Sequence, residues 1–356
     1  MSEFSNRYYP TICIRRAEMK GLENLPVSEK ELMLPIVLLA PWLNSIEFEN
    51  TFKVVEKSIG NIPIIADLDR HFRSTSDLPS RQTFREFLNG DEGVEKWMGM
   101  IETKPNFIPT IRVTGISDHC VYDQISWARA LGRGFVFRIE LQLGDDPKRH
   151  FELLQSCIND DVLTVIDYGY QEESLELTAK LTNHLRELVD IDANFKFVVS
   201  GSNFPNTFSD YDDFSRPKAI GSRLTYSELA RQFNNYQFYY GDWASTKPRR
   251  YDGGGSRPLP RIDYPTRNAW IIARSKEEEW TFRDAAVRVT RLTEWQTRPS
   301  VWGAGLIEKT AEGLPGGIST GPMAIAARVN IHLFQQNHYR DTAPPPVPEG
   351  EWVDPI

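Results

Sequence analysis

The chain has 356 residues, of which 40% are hydrophobic and 25% charged, and its formal net charge is −8. That length exceeds the about 250 residues of a typical (β/α)8 barrel, and the hydrophobic share is that of an ordinary globular protein with a sizeable core. The acidic balance argues against a protein that coats nucleic acid non-specifically, although a local basic patch would still bind phosphate groups.

Cysteine usage and hydropathy limit the compartment. Cys13, Cys120 and Cys157 are too far apart in the sequence for a CxxC metal site, and they do not form a disulfide framework. This is typical of a protein in a reducing compartment. No apolar run reaches the about 18 residues that suggest a membrane helix. The sequence therefore predicts a soluble, cytoplasmic protein with no membrane partner.

Short apolar runs alternate with amphipathic segments over most of the chain. Eight runs are predicted as strands, at residues 11–15, 34–40, 62–67, 107–113, 134–141, 162–167, 195–200 and 237–241. Helical patterns lie between them, at residues 47–59, 81–101, 121–131, 147–158, 173–189 and 226–233, with a less regular connection at 17–30. Strands buried on both faces and separated by helices indicate a parallel sheet. Eight such units predict an α/β fold of the (β/α)8 TIM-barrel type.

The pattern changes after residue 241. Residues 245–267 are rich in Gly, Pro and Arg and are predicted to form a long loop. The following elements are a strand at 268–273, a helix at 277–293 interpreted as the eighth barrel helix, and a helix at 323–336. We expect residues 1–340 to form a single barrel domain, with 268–340 as helical and loop additions. Residues 341–356 are a proline-rich, acidic tail.

Charged and polar residues occur at most of the predicted strand ends, and barrel enzymes use that end of the barrel. The predicted catalytic set is Glu18, Asp67, Asp69, Arg138, Glu140, Asp167 and Asp242. The predicted phosphate-binding set is Arg15, Arg112, Ser200, Ser202, Lys247, Arg249 and Arg250. Such clustering of ionisable groups is typical of functional sites. The alternative is that these ions end the strands in solvent and pair with one another.

The residue types suggest a chemistry. Asp67, Asp69, Glu140 and Asp167 offer oxygen ligands for a hard divalent cation, Mg²⁺ or Mn²⁺. The arginines provide forked donors that fit phosphate or carboxylate. Together they suit metal-assisted phosphoester hydrolysis. The same set also describes a non-catalytic pocket for an anionic ligand, and no spacing separates the two. His71 and His119 follow the third and fourth strands and are further candidates for the barrel mouth.

The basic loop after the eighth strand is expected to hang over this mouth. Its cations are Lys247, Arg249, Arg250, Arg257, Arg261 and Arg267, against Asp252 and Asp263. A phosphate-gripping lid is one interpretation, because three successive glycines at 253–255 permit motion and close backbone approach. A solvated loop without a ligand is the other.

Several short motifs carry a resemblance to a known family. The N-terminal part has Tyr9-Pro10, then Arg15-Arg16-Ala17-Glu18-Met19, then Leu22. In order along the chain follow Asp167, Ser200-Gly-Ser-Asn-Phe-Pro205, Tyr240-Gly241-Asp242, Trp302-Gly303 and Asn330-Ile-His332. Over residues 8–335 the chain therefore resembles the Beta family proteins, a group named from a phage protein. Two features are noted as departures from the family pattern. Ala17 occupies the position of the usual small residue before Glu18, and the loop at 247–267 is basic.

The resemblance implies a TIM-type barrel encoded near mobile elements or anti-phage genes, and it implies no particular activity. Combined with the strand-end residues, it leads to the hypothesis of a component of a bacterial or phage conflict system. In this hypothesis the barrel mouth binds a phosphate-bearing ligand, a nucleotide or a nucleic-acid end, with or without hydrolysis. The alternative is a non-catalytic sensor or scaffold that recognises a phage product, holds an effector nuclease, or forms a homo-oligomer.

Overall fold

Eight parallel strands close into a barrel in the computed structural model, which describes residues 4, 8–158, 160–211, 217–249 and 259–341. The barrel strands are β1 (Tyr9–Cys13), β2 (Ile36–Leu39), β3 (Ile64–Leu68), β4 (Phe107–Ile111), β5 (Phe135–Glu140), β6 (Val162–Tyr170), β7 (Lys196–Ser202) and β9 (Gln237–Asp242). The ring closes where β9 pairs with β1, with Tyr9 opposite Gly241. The predicted (β/α)8 TIM-type barrel is confirmed.

The inside of the barrel changes character along its axis. Alternate strand residues form an apolar cluster in the lower part, including Ile36, Ile65, Val136 and Val198. Because side chains on one face of a strand recur every second residue, the next inward positions bring Asp67 and Arg138 into the upper part. The interior is therefore filled by hydrocarbon at the N-terminal end and by charged groups at the C-terminal end.

Helices cover the barrel from outside. They are α1 (Arg16–Glu23), α2 (Val27–Lys30), α3 (Glu49–Ile59), α4 (Pro79–Phe87), α5 (Gly90–Glu102), α6 (Asp118–Leu131), α7 (Pro147–Leu154), α8 (Leu175–Ile191) and α9 (Gly221–Gln232). The single helix predicted at 81–101 is wrong, since two helices occupy this region. The chain turns between them at Asn89 and Gly90, and Gly90 has a φ of 52°, a left-handed conformation that glycine adopts at little cost.

The C-terminal part adds a small antiparallel sheet and three helices. The sheet contains β10 (Arg261–Pro265), β11 (Ala269–Arg274) and the short β8 (Lys218–Ala219) in the order β10-β11-β8. The helices are α10 (Phe282–Thr290), α11 (Trp302–Glu312) and α12 (Gly321–Asn337). Strand β10 lies inside the segment predicted as a loop, and α11 was not predicted.

The helix that covers the barrel between its last and first strands is α12. Its Val329 and Leu333 belong to the large core around the barrel, whereas its Ala327 and Ile331 pack into the core of the C-terminal addition. Helix α10 contributes Ala285 and Val289 only to the second core. The prediction that residues 277–293 supply the eighth barrel helix is therefore wrong, because an amphipathic pattern does not specify which surface the helix meets.

Some predictions fall outside the described residues. Arg250, the glycines at 253–255 and residues 342–356 of the tail are among the positions that the structure does not describe. The assignment of residues 1–340 to one domain stays a prediction. Within the described residues, no helix is both long and apolar enough to cross a membrane.

Close helix packing holds the addition against the barrel. The Asn330 amide accepts a hydrogen bond from the Gly303 amide at 2.9 Å and donates one to the Gly21 carbonyl at 2.9 Å. It thereby joins α11 and α1 through α12. A Cβ atom at Gly303 would lie 2.4 Å from the Ala327 carbonyl oxygen, so this contact requires glycine.

We predict that Gly303→Ala lowers the free energy of unfolding by about 1–3 kcal/mol, because backbone atoms must move to admit the methyl group. Gly305→Ala on the same helix is the matched control, since nothing lies within 4 Å of its Cβ position. There alanine should leave stability unchanged or raise it by up to about 1 kcal/mol. Urea unfolding of the two variants checks this, and equal effects would contradict the packing described for α11 and α12.

Candidate functional site

A fully buried guanidinium occupies the centre of the upper barrel. The side chain of Arg138 on β5 has no exposed surface. Its Nη1 lies 2.8 Å from an oxygen of Asp67 on β3, and its Nη2 lies 2.8 Å from an oxygen of Asp167 on β6. The same Nη2 contacts Glu140, two residues further along β5. Three carboxylates from three strands therefore surround one cation.

A second arginine extends this network toward the surface. The Nε of Arg70, just after β3, donates to Glu140 at 2.9 Å, and its two terminal nitrogens contact both oxygens of Asp145. Asp145 also accepts hydrogen bonds from the Thr114 hydroxyl and from the Glu140 amide at 2.8 Å. The bidentate contact fixes both side chains. The network thus contains four carboxylates and two guanidinium groups.

The charges determine how these groups ionise. Burial alone opposes the ionisation of Glu140, but Arg138, His71 and Arg70 outweigh it and lower its pKa to about 2. Burial raises the pKa of Asp67 above its ordinary value, and Arg138 counteracts only part of that rise. Burial likewise disfavours the charged form of Arg138, yet the surrounding carboxylates raise its pKa. At neutral pH, Glu140 and Arg138 are therefore an ion pair.

An aromatic side chain closes the network from above. Trp243, just after β9, is 1% exposed and donates its indole N–H to Asp167 at 3.1 Å. Its ring lies 5.7 Å from the Arg138 guanidinium carbon, within reach of a cation–π contact. The His71 ring meets the Trp243 ring edge-on at 6.0 Å. These two rings cover one side of the buried ion network.

A separate pair of ion contacts lies at the rim beside β1. Arg249 contacts Asp69 and donates to the Ile14 carbonyl at 2.9 Å. Glu18 accepts the Cys13 amide at 2.7 Å and lies 3.0 Å from Arg15. Arg249, on the basic loop, and Arg15 are thus engaged by the protein's own carboxylates.

The predicted metal ligands do not fit a divalent cation. Asp67, Glu140 and Asp167 are directed at Arg138, and Asp69 is bound to Arg249. Over the part of the chain that the structure describes, no three His, Cys, Asp or Glu side chains are grouped so that they could hold a metal ion. A guanidinium stands where the sequence predicted Mg²⁺ or Mn²⁺.

The remaining predicted phosphate ligands are engaged in contacts within the protein. Ser200 is fully buried, with its hydroxyl 3.4 Å from that of Thr11 inside the barrel. The Ser202 hydroxyl donates to the Thr246 carbonyl, and Lys247 contacts Asn206. His119 is exposed on α6, with 89% of its side chain accessible.

Asp242 belongs to a different network on the outer face of the barrel. It accepts hydrogen bonds from the hydroxyl groups of Tyr8 and Tyr240, the latter at 2.8 Å, and contacts His332 Nε2 on α12 at 2.7 Å. Burial opposes its ionisation, but His332 and the two tyrosines bring its pKa below the ordinary value. The expectation that Asp242 joins the other carboxylates is wrong, since at this strand end the inward residue is Trp243.

A small cavity of about 40 Å³ opens beside the buried ions, next to the end of β4. Arg112 lines it, and its Nη1 donates to the Phe87 carbonyl. The Arg112 side chain has no carboxylate partner among the described residues, and burial lowers its pKa. Thr110, also in the lining, is 5% exposed and its hydroxyl has no hydrogen-bond partner in the described part of the chain.

Sequence reasoning missed four residues of this site: Arg70, Thr110, Asp145 and Trp243. For Trp243 the signal was present, because Tyr239 belongs to the inner cluster and position 243 follows it at twice the two-residue period of a strand. Asp145 lies in a turn beyond β5, where strand alternation no longer applies. The Thr110 hydroxyl was hidden in an apolar run.

Comparison with known proteins supplies the family. The family model for Beta protein matches residues 8–338. The chain belongs to the Beta protein family. It is also similar to Protein beta of Enterobacteria phage P4, with 26% identity over 340 residues that cover 92% of each chain.

The motifs that resemble the Beta protein family are contact partners in the fold. Tyr240 and Asp242 on β9 meet His332 on α12, and Gly303 on α11 meets Asn330 on α12. Motifs separated by about 90 residues thus form one seam between the barrel and the addition. These short motifs therefore help to hold the C-terminal addition against the barrel.

We predict that Glu140→Gln lowers the free energy of unfolding at pH 7 by about 3 kcal/mol, because it removes one of the three carboxylates that contact Arg138 and one of the two that contact Arg70. The folded-state pKa of Glu140, about 2, is below the ordinary value of 4.5. Its stabilisation is therefore present above pH 4.5 and is lost as the pH falls toward 2.

Urea unfolding at pH 7 and at decreasing pH measures the difference between wild type and variant. The difference in the free energy of unfolding should shrink as the pH falls from 4.5 toward 2. The control is Glu152→Gln, because 62% of the Glu152 side chain is exposed. A difference that stays constant with pH would show that the Glu140 charge is not the stabilising feature.

Proposed function

We propose that the barrel mouth binds a small phosphate-bearing ligand, a nucleotide or a nucleic-acid end, without a metal ion. The proposal rests on the side chain of Arg112. It is the guanidinium in the cavity lining that contacts no carboxylate of the described chain, whereas Arg70 and Arg138 are each paired with acids. A forked donor of this kind fits phosphate oxygens.

The surroundings of Arg112 support binding in a fixed pose. Its backbone N–H and C=O both bond the Gln124 side chain at 2.9 Å, which anchors the residue at the end of β4. The unpaired Thr110 hydroxyl supplies a further donor in the same lining. The cavity of about 40 Å³ has room for about three water molecules, so it would take the phosphate group alone while the rest of the ligand lies outside it.

The geometry favours binding over metal-dependent hydrolysis. The carboxylates that hydrolysis would use to hold a cation are neutralised by Arg138 and Arg70. Glu140, with a pKa of about 2, is too weak a base to accept a proton efficiently near neutral pH. The geometry supports a sensor or scaffold role more directly than it supports hydrolysis. In that role a phosphate-bearing ligand controls a protein partner.

The wider role that we propose is in conflict between bacteria and phages. The support for this step is the similarity to a protein of Enterobacteria phage P4.

We predict that AMP, or a short oligonucleotide with a terminal phosphate, raises the melting temperature of the wild type, since a ligand that binds the native state alone stabilises it by about 1.4 kcal/mol at ten times its Kd. Arg112→Gln should weaken the affinity about tenfold or more, because a charge-assisted hydrogen bond is lost. Comparing the two probes distinguishes a free nucleotide from a nucleic-acid end.

Arg186→Gln is the matched control, since Arg186 is exposed on α8 and its loss changes the net charge equally. It should bind as the wild type does. Absence of binding by both probes, or affinity unchanged by Arg112→Gln, would contradict the proposal. Turnover of either probe would show that the mouth is catalytic.

A further inference from the structure

A second cleft, of about 250 Å³, lies on the outer side of the barrel. It lies against β9 and is bordered by α9 and the C-terminal end of α12. Its lining includes the tyrosines Tyr8, Tyr226, Tyr240 and Tyr339 and the charged residues Arg223, Arg340 and Asp341. The Asp341 carboxylate contacts His338. It shares no lining residue with the cavity at the barrel mouth.

Arg223 is held with both faces of its guanidinium covered. The guanidinium carbon lies 3.4 Å from the ring centre of Tyr240 and 3.8 Å from that of Tyr339. Its Nε donates to the Gln336 side chain at 2.6 Å, and its Nη2 has a long contact of 3.4 Å to the Gln336 carbonyl. The orientation of the guanidinium is therefore fixed, and the edge that carries Nη1 is left to contact a ligand.

Arg223 forms no ion pair with a carboxylate of the described residues. Arg223 is 6% exposed, yet no carboxylate lies within ion-pair distance of it, and its Nη1 has no hydrogen-bond partner, among the residues that the structure describes. The buried Arg138 and Arg328 each contact an aspartate. A buried cation without a partner is costly. An anion bound in the cleft would remove that cost, and the planar edge of a guanidinium fits a carboxylate or a phosphate.

The tyrosines define the rest of the ligand. The rings of Tyr8 and Tyr240 stack at 5.6 Å, and Tyr226 meets Tyr240 edge-on at 5.4 Å. Arg340 is exposed at the edge of the cleft and adds a second positive charge. Aromatic walls with a few charged groups are typical of sites for small organic ligands.

We propose that this cleft binds a small organic anion, a carboxylate or phosphate attached to a ring. The anionic group contacts Arg223 and Arg340, and the ring packs among the tyrosines. This site is independent of the function proposed for the barrel mouth.

Calorimetric titration of the full chain with phenyl phosphate and with benzoate tests the proposal, and inorganic phosphate and acetate are the matched probes without a ring. The ring-bearing probes should bind about tenfold more tightly than their ringless partners, because the ring adds aromatic contacts. The preferred member of the first pair identifies the anionic group.

Two variants locate the binding. Arg340→Gln, at an exposed position, should weaken binding about tenfold while the melting temperature stays unchanged, and Arg223→Lys, which keeps the charge but loses the fork, should weaken it further. Arg231→Gln is the control, since Arg231 is on α9 with 75% of its side chain exposed and does not line the cleft.

Three results would overturn the proposal: no binding of either ring-bearing probe at millimolar concentration, equal binding of the ringless probes, or binding that both arginine variants leave unchanged. A loss in Arg112→Gln without a loss in Arg340→Gln would place the probe at the barrel mouth and overturn it as well.

Discussion

The upper half of the barrel depends on one buried charge. The Arg138 side chain is fully enclosed, and a guanidinium in that position is tolerated only if carboxylates meet it with good geometry. Asp67, Glu140 and Asp167 provide this from three different strands. The register of β3, β5 and β6 is therefore coupled, because a shift of any one strand would remove a counter-ion from a group that cannot lose its charge.

The same constraint shapes what the mouth can do. Once the carboxylates are occupied by Arg138 and Arg70, they are poor metal ligands and Glu140 is a weak base. What remains for recognition is the guanidinium of Arg112, beside a free hydroxyl at Thr110. A mouth organised in this way is suited to hold an anion in a fixed pose. The second buried network, around Asp242 and His332, has a different task, since it fastens α12 to the barrel.

Much of the fold and of the charged layer in the barrel could be predicted from the sequence. The predictions that were wrong failed for physical reasons. Alternation along β3, β5 and β6 correctly brought Asp67, Arg138 and Asp167 to one layer, because the two-residue period of a strand is strict. It could not show which side chains touch, so a layer of acids and arginines was interpreted as a metal site. At β9 the alternation was taken one residue out of phase, which selected Asp242 in place of Trp243.

The sequence pattern could not show which surface each C-terminal helix packs against. The sequence periodicity of residues 277–293 is real, but α10 buries its apolar face in the C-terminal addition, and α12 takes the position beside β1. An amphipathic pattern does not specify the surface that a helix meets, whereas His332 and Asn330 of α12 contact Asp242 on β9 and Gly21 on α1.

The central claim is that an arginine, and not a metal ion, is the cation of the barrel mouth. The most direct test is Mn²⁺ binding, measured by electron paramagnetic resonance of the free ion in titrations of the wild-type chain and of Asp67→Asn. With Arg138 among the carboxylates, we expect no Mn²⁺ site in the wild type at millimolar concentration. One ion bound per chain in the wild type and lost in Asp67→Asn would contradict the claim, because that result requires the carboxylates to be free to coordinate a metal.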